Sequence, residues 1–179
     1  MMYEILTAGF GGQGVLFGAK LLAEIGLIDG KEVTWFPAYG PAMRGGTCNC
    51  SVVISDKPVG SPVVTYPNIL VAMNGPSYDK FISTVASGGK AFIDSTLANP
   101  ATSPSKPADG VTVYEIPATK LAVENDVVGM ANIIMLGKLI KETGFASAET
   151  VDKALKLVTE GKEHLLDVNK KALKIGMEY

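Results

Sequence analysis

Apolar positions along this chain follow two rhythms, one of strands and one of helices. Tyr3-Glu4-Ile5-Leu6-Thr7-Ala8 is a strand-like run that ends at Gly9. Val15, Leu16, Ala19, Leu22, Ala23 and Leu27 then recur at helical spacing, predicting a helix from Gln13 to Ile28 that Asp29-Gly30 stops. Glu32 to Phe36 reads as a second strand, ended by Pro37. Thr47 to Ser55 alternates and then becomes continuously apolar at Val52-Val53-Ile54, a third and largely buried strand turned by Asp56-Lys57-Pro58. Asn68 to Met73 is another buried strand. Asn74-Gly75-Pro76-Ser77 opens a short helix carrying Tyr78, Phe81, Ile82 and Val85, and Gly88-Gly89 ends it. Lys90 to Asp94 and Val111 to Ile116 are strands. Leu97 to Gly110, with three of the ten prolines, is an exposed loop between them.

The remainder is helical: a short helix from Pro117-Ala118-Thr119 through Val123, an apolar and buried one from Met130 to Glu142, and two amphipathic ones over Ala148–Val158 and His164–Ile175. Strands alternating with helices predict one α/β domain over residues 1–179, with a mostly parallel (mixed) sheet and helices on both faces. The first strand–helix turn is glycine-rich and Rossmann-like.

Composition narrows the function classes. The chain has 16 basic and 18 acidic residues and no basic run, so the electrostatic footprint of a nucleic-acid binder is missing. The N-terminal segment lacks a basic region followed by an apolar one, and no apolar run approaches the ~20 residues of a membrane helix. A cytoplasmic location and no membrane partner are expected. Cys48 and Cys50 are the only cysteines. At i, i+2 in a strand they share one face, and the expected role is packing. With the single His164 they do not make a zinc or iron–sulfur ligand set, so no metal site is expected. His164 reads as a solvated or capping residue.

Gly9-Phe10-Gly11-Gly12-Gln13-Gly14 has G-x-G-x-x-G spacing between a strand and a helix. A dinucleotide site also needs an acidic residue where the second strand ends; here that strand ends Trp35-Phe36-Pro37-Ala38, and Glu32 sits at its beginning. Val15-Leu16 follows the last glycine in place of Lys-Ser/Thr, so the segment is not a Walker loop. Two readings stay open. Free N–H groups of Gly11 to Gly14 at a helix start accept a phosphate or carboxylate, or the glycines serve a tight turn and close helix–strand packing. The amide of Gln13 favours the former. Arg44, followed by Gly45 and Gly46, is placed to clamp a phosphate or a partner's carboxylate, with Tyr39 and Pro41 as an apolar wall. Asp94, ending a buried strand, is either functional or a cap for the turn through Ser95-Thr96. No nucleophile elbow is present.

These segments together resemble a known family. Gly9 to Val15, Tyr39-Gly40-Pro41-Ala42-Met43-Arg44-Gly45-Gly46, Val52 to Ser55 with Pro58 to Pro62, Ala131 to Gly137 and Asn169 to Gly176 are similar to the gamma subunit of 2-oxoacid:ferredoxin oxidoreductases. The run Arg44-Gly45-Gly46-Thr47-Cys48-Asn49-Cys50 most resembles the 2-oxoglutarate branch. The resemblance implies a CoA-acylating oxidative decarboxylation by a multi-subunit enzyme, with alpha, beta and in some cases delta subunits as partners and ferredoxin as electron acceptor. It implies thiamine diphosphate, Mg²⁺ and iron–sulfur clusters in the holocomplex, with coenzyme A as substrate and none of these held by this chain alone. It assigns Gly9, Gly11, Gly12, Gln13, Gly14, Arg44, Gly45 and Gly46 to a coenzyme A or partner contact, and Tyr39, Pro41 and Met43 to a docking patch. It assigns this chain no catalytic residue, and the isolated chain is expected to be inactive. The alternative is a stand-alone nucleotide- or CoA-binding α/β module.

Overall fold

A computed structural model describes residues 2–39 and 47–179. Strand β1 (Met2–Phe10) is followed by helix α1 (Val15–Ile28), then β2 (Glu32–Tyr39), β3 (Thr47–Ser55) and β4 (Ile69–Ala72). Next come α2 (Gly75–Phe81), β5 (Lys90–Asp94), β6 (Thr112–Ile116), α3 (Ala118–Glu124), α4 (Ala131–Thr143), α5 (Ala148–Val158) and α6 (Leu166–Glu178).

The six strands form one sheet in the order β2-β3-β1-β4-β5-β6. β1, β4, β5 and β6 pair in parallel, and β3 lies antiparallel between β1 and β2. The sheet is therefore mixed and mostly parallel, as the strand–helix alternation predicts. The strand at Pro37 does not stop there: β2 continues to Tyr39 with Pro37 opposite Cys50. β2 is the outermost strand, and an edge position tolerates a residue without an N–H.

Side-chain alternation divides the interior into two cores. Ile5, Val52, Ile54, Val71 and Phe92 point to one face, where α1, α4, α5 and α6 pack. Leu6, Leu70, Ala72 and Ile93 point to the other, against Tyr78, Ile82 and Val85 of α2 and the turns after it. Helices thus cover both faces of the β1–β4–β5 centre. On the second face of β3, Ser51 Oγ accepts from Val64 N at 3.2 Å, so the 56–68 connection straps this part of the sheet.

The sharpest packing constraint lies between α4 and α6. A Cβ on Gly176 would sit 1.9 Å from the Ile134 carbonyl oxygen, and one on Gly137 2.2 Å from that of Leu173. The two backbones touch directly, and neither glycine has room for a methyl. The α5 helix is simpler. Ser147 caps it by accepting from Thr150 N at 3.1 Å, its apolar side buries Val151, Ala154 and Leu155, and its wet side carries i,i+4 pairs such as Lys153–Glu149.

Cys48 and Cys50 share one face of β3, and both are buried and free of each other. Burial pushes the Cys50 thiol up to about 12.

Gly176→Ala and Gly137→Ala are each expected to cost about 3 kcal/mol or more in urea denaturation. Gly60→Ala, where nothing lies within 4 Å, should stay within about 0.5 kcal/mol of the parent. Cys50 generates a pH prediction. Its unfolded-state pKa is about 8.5, below the folded value. Its contribution to stability is full below the former and lost as pH rises toward the latter. Cys50→Ala should therefore flatten the alkaline fall in urea midpoint between about pH 9 and pH 12; an unchanged fall would show that Cys50 does not titrate this way.

Candidate functional site

Connections from β1 and β4 leave the sheet in opposite directions. The chain after β1 goes by way of α1 to β2, on one side of the sheet; the chain after β4 goes by way of α2 to β5, on the other. Such a reversal opens a crevice at the strand C-termini, the general location of ligand sites in open α/β sheets. Gly11 to Gly14 form the turn on one bank, and Met73-Asn74 form the other.

Gly12 has φ 98° and Gly14 φ 72°, left-handed backbone that side chains rarely adopt. Gly14 is the N-cap of α1. It offers no side-chain cap, and the first turn has no acidic residue. The positive end of a 14-residue helix therefore faces the crevice uncapped by any side chain. Close packing accounts for Gly9, where a Cβ would lie 2.8 Å from Val15 Cγ2 and 2.9 Å from Gln13 Oε1. Both readings of the turn thus have support, at different glycines.

The Gln13 amide works inside the fold. Its Oε1 accepts from Phe10 N at 2.7 Å and from Asn74 Nδ2 at 2.6 Å, and its Nε2 donates to the Met73 carbonyl at 3.1 Å. An apolar residue would leave all three unpaired, which is the physical reason for an amide here. Asn74 in turn caps α2 by accepting from Ser77 N at 2.9 Å. Asn132, in the first turn of α4, donates from Nδ2 to the Gly14 carbonyl at 3.0 Å. A Cβ on Gly14 would fall 2.5 Å from that same nitrogen. Sequence reading noted the helix that carries Asn132 but had no local signal for this bond, which spans 118 positions.

Asp94 is fully buried, and its carboxylate is engaged as a cap. It accepts from Thr96 N at 3.1 Å, from Thr119 N at 3.1 Å and from Thr119 Oγ1 at 2.5 Å, closing the start of α3. Of the two roles open for Asp94, the geometry supports the cap. His164 is exposed in a short 3₁₀ turn before α6.

Two small pockets flank the glycine turn. One, of about 180 Å³, lies between Gly12-Gln13, Met73 and Thr119, rimmed by Val123 and Val128, both strongly exposed apolar residues. The other, of about 150 Å³, lies between Gly12, Gly14, Phe17, Met130, Asn132 and Asn169. Gly9, Gly11, Gly12, Gln13 and Gly14 thus come together at the crevice. Pro41, Met43, Arg44, Gly45 and Gly46 lie outside the described residues. Tyr39 is described only as the last residue of β2.

The donor set does not fit an iron–sulfur cluster. Such a cluster usually takes four thiolates, and the chain has two cysteines, both in the core. Among the described residues no three His, Cys, Asp or Glu side chains gather as metal ligands. No helix among them is long and apolar enough to cross a membrane.

Fold and site define a class: a mixed-sheet α/β domain whose first helix starts at the switch point without a side-chain cap. Comparison with known proteins names the family. Residues 4–179 match the model for "Pyruvate ferredoxin/flavodoxin oxidoreductase", and the chain belongs to that family. It is 41% identical over 178 residues to ketoisovalerate oxidoreductase subunit VorA of Methanothermobacter thermautotrophicus, covering 98% of this chain and 36% of that protein. The chain thus spans about a third of that relative's length. It is 39% identical over 157 residues to the 2-oxoglutarate synthase subunit KorC of Methanocaldococcus jannaschii, covering 87% and 82%. The solved gamma subunit of a keto/oxoacid ferredoxin oxidoreductase from Geobacter sulfurreducens superposes with a TM-score of 0.80 at 29% identity, covering 98% and 96%.

Gln13→Leu is expected to cost about 2–4 kcal/mol by urea denaturation, because it strands two donors and one carbonyl at the crevice. Gln13→Glu, which keeps the accepting oxygen, should recover part of that loss. Equal stability of Gln13→Leu and the parent would refute the bridging role.

Proposed function

We propose that the chain is the gamma-type component of a multi-subunit 2-oxoacid:ferredoxin oxidoreductase and that its glycine turn forms one wall of the coenzyme A or active-site channel. The observation that carries this reading is the side-chain-uncapped N-terminus of α1 at the switch-point crevice, with no acidic residue in its first turn. An anionic group such as a phosphate of coenzyme A is the chemistry that such a helix end favours. In this reading Gly11, Gly12 and Gly14 offer backbone N–H groups, and Gly9 lets α1 approach β1. Gln13 holds the turn against β4, giving it a Rossmann-like role without dinucleotide chemistry. Arg44, with Gly45 and Gly46, supplies a guanidinium to the same anion. Tyr39, Pro41 and Met43 dock a larger subunit.

Thiamine diphosphate with its Mg²⁺, and the iron–sulfur clusters, belong in this reading to the alpha, beta and delta-type partners; a sequence with only two cysteines supports that division for the clusters. The chain by itself is inactive, and the complex works in the cytoplasm. For the 2-oxoacid, the run from Arg44 to Cys50 and the identity to the 2-oxoglutarate synthase subunit support 2-oxoglutarate. The identity to the ketoisovalerate subunit supports a branched-chain acid.

Affinity purification of the tagged chain from its host, followed by a CoA-dependent acceptor-reduction assay, tests the reading. Larger subunits should co-purify with activity, and the kcat/KM ratio for 2-oxoglutarate against 2-oxoisovalerate names the substrate. In that complex Arg44→Ala should raise the KM for coenzyme A roughly tenfold or more with little change in kcat, as expected for loss of one charge-assisted contact. Recovery of the chain alone, with no activity on any 2-oxoacid, would favour the stand-alone binding module.

A further inference from the structure

The two edges of the sheet are built differently. β6, at one edge, is five residues long, and its exposed side chains are Thr112 and Glu115. β2, at the other, is eight residues long and pairs, among the described residues, with β3 alone. It exposes Trp35 at 42% and Phe36 at 44%. Short length and polar side chains blunt a strand edge against further pairing. β6 has both, whereas β2 has Pro37 and, at its start, Glu32.

Apolar surface flanks β2 on both faces. Trp35 lies opposite Val52, which belongs to the core under α1. Phe36 lies opposite Ser51, which holds the 56–68 connection on the other face. Cross-strand partners share a face, so one aromatic ring stands on each side of the edge. Helix α1 packs against β2 and exposes Leu27, and the 56–68 connection exposes Val63 and Tyr66. Five of the eleven strongly exposed large apolar residues among those described thus belong to β2 and the two segments beside it. Scattered singly they would mean little; gathered along one edge they mark an interaction surface.

Charge says what covers it. From Val33 to Ala38 the strand has no ionised side chain, and Lys31, just before it, is paired with Asp56. A partner steered by opposite charge has nothing here to read. A second copy brings an equally long and equally apolar edge. A two-fold axis sets that edge antiparallel, which continues the antiparallel order of β1, β3 and β2. The two Glu32 side chains then stand at opposite ends of the pairing, so no like charges meet.

We infer that β2 pairs antiparallel over Glu32 to Ala38 with β2 of a second copy of this chain, joining two sheets across a two-fold axis and covering Trp35 and Phe36. The inference is independent of the coenzyme A reading of the glycine turn.

Trp35 is the one tryptophan of the chain, so tryptophan fluorescence reports on this edge alone. For the purified full chain, sedimentation equilibrium should show a dimer with a Kd at or below about 10 µM. Over the same concentration range the Trp35 emission should move to shorter wavelength and become shielded from iodide. Phe36→Lys, with its fold checked by circular dichroism, should raise the Kd at least about tenfold and leave Trp35 open to iodide. Leu157→Lys on α5 should leave the Kd unchanged. Should Phe36→Lys not fold, the coincidence of dimerisation and Trp35 shielding in the parent chain decides alone. A monomer at about 100 µM, or a dimer whose Trp35 is as open to iodide as the monomer's, would overturn the inference. So would a purified complex holding one copy of this chain with Trp35 shielded, which would assign the edge to a larger subunit.

Discussion

The contact between the backbones of α4 and α6 at Gly137 and Gly176 fixes the geometry on which the site depends. Two helices that meet without side chains between them have little freedom to slide or rotate, because each carbonyl already fills the space where a Cβ would be. Asn132 lies five positions before Gly137 and Asn169 seven before Gly176, so both asparagines are carried to the glycine turn by the same crossing. A looser crossing would draw the Asn132 amide away from the Gly14 carbonyl and alter the wall that Asn169 provides.

The turn is in effect held from three sides. Gln13 bonds it to the β4 end, Asn132 bonds it to α4, and the absence of a side chain at Gly9 lets α1 close on β1. The cost of positive φ at Gly12 and Gly14 is small for glycine, and these constraints keep the turn in that conformation. A preorganised turn of this kind loses little freedom when a ligand or partner reaches it. The side chains that would ordinarily neutralise a helix start are absent from α1, while α2 and α5 both have theirs, in Asn74 and Ser147.

Periodicity in the sequence was enough to place the strands and helices, the two-sided core and the single α/β domain, because burial pattern is local and repeats every two or every three to four residues. It erred at Pro37, where the missing N–H suggested a strand end. The proline is tolerated because β2 lies at the sheet edge, a fact of strand order rather than of local sequence. The antiparallel insertion of β3 between β1 and β2 was likewise invisible, since pairing is a relation between distant segments.

The sequence by itself determined the type and order of most elements, the glycine-rich character of the first turn and the family resemblance, all of which are written in contiguous residues. Only the tertiary structure decided what the polar side chains do. It turned Gln13 inward as a bridge and made Asp94 a cap for α3, reached across 25 positions. It also left the Asn169 oxygen buried and unpaired. Hydrogen-bond partners far apart in the chain are chosen by packing, and packing at the α4–α6 crossing is set by two missing side chains whose significance appears only when the helices meet.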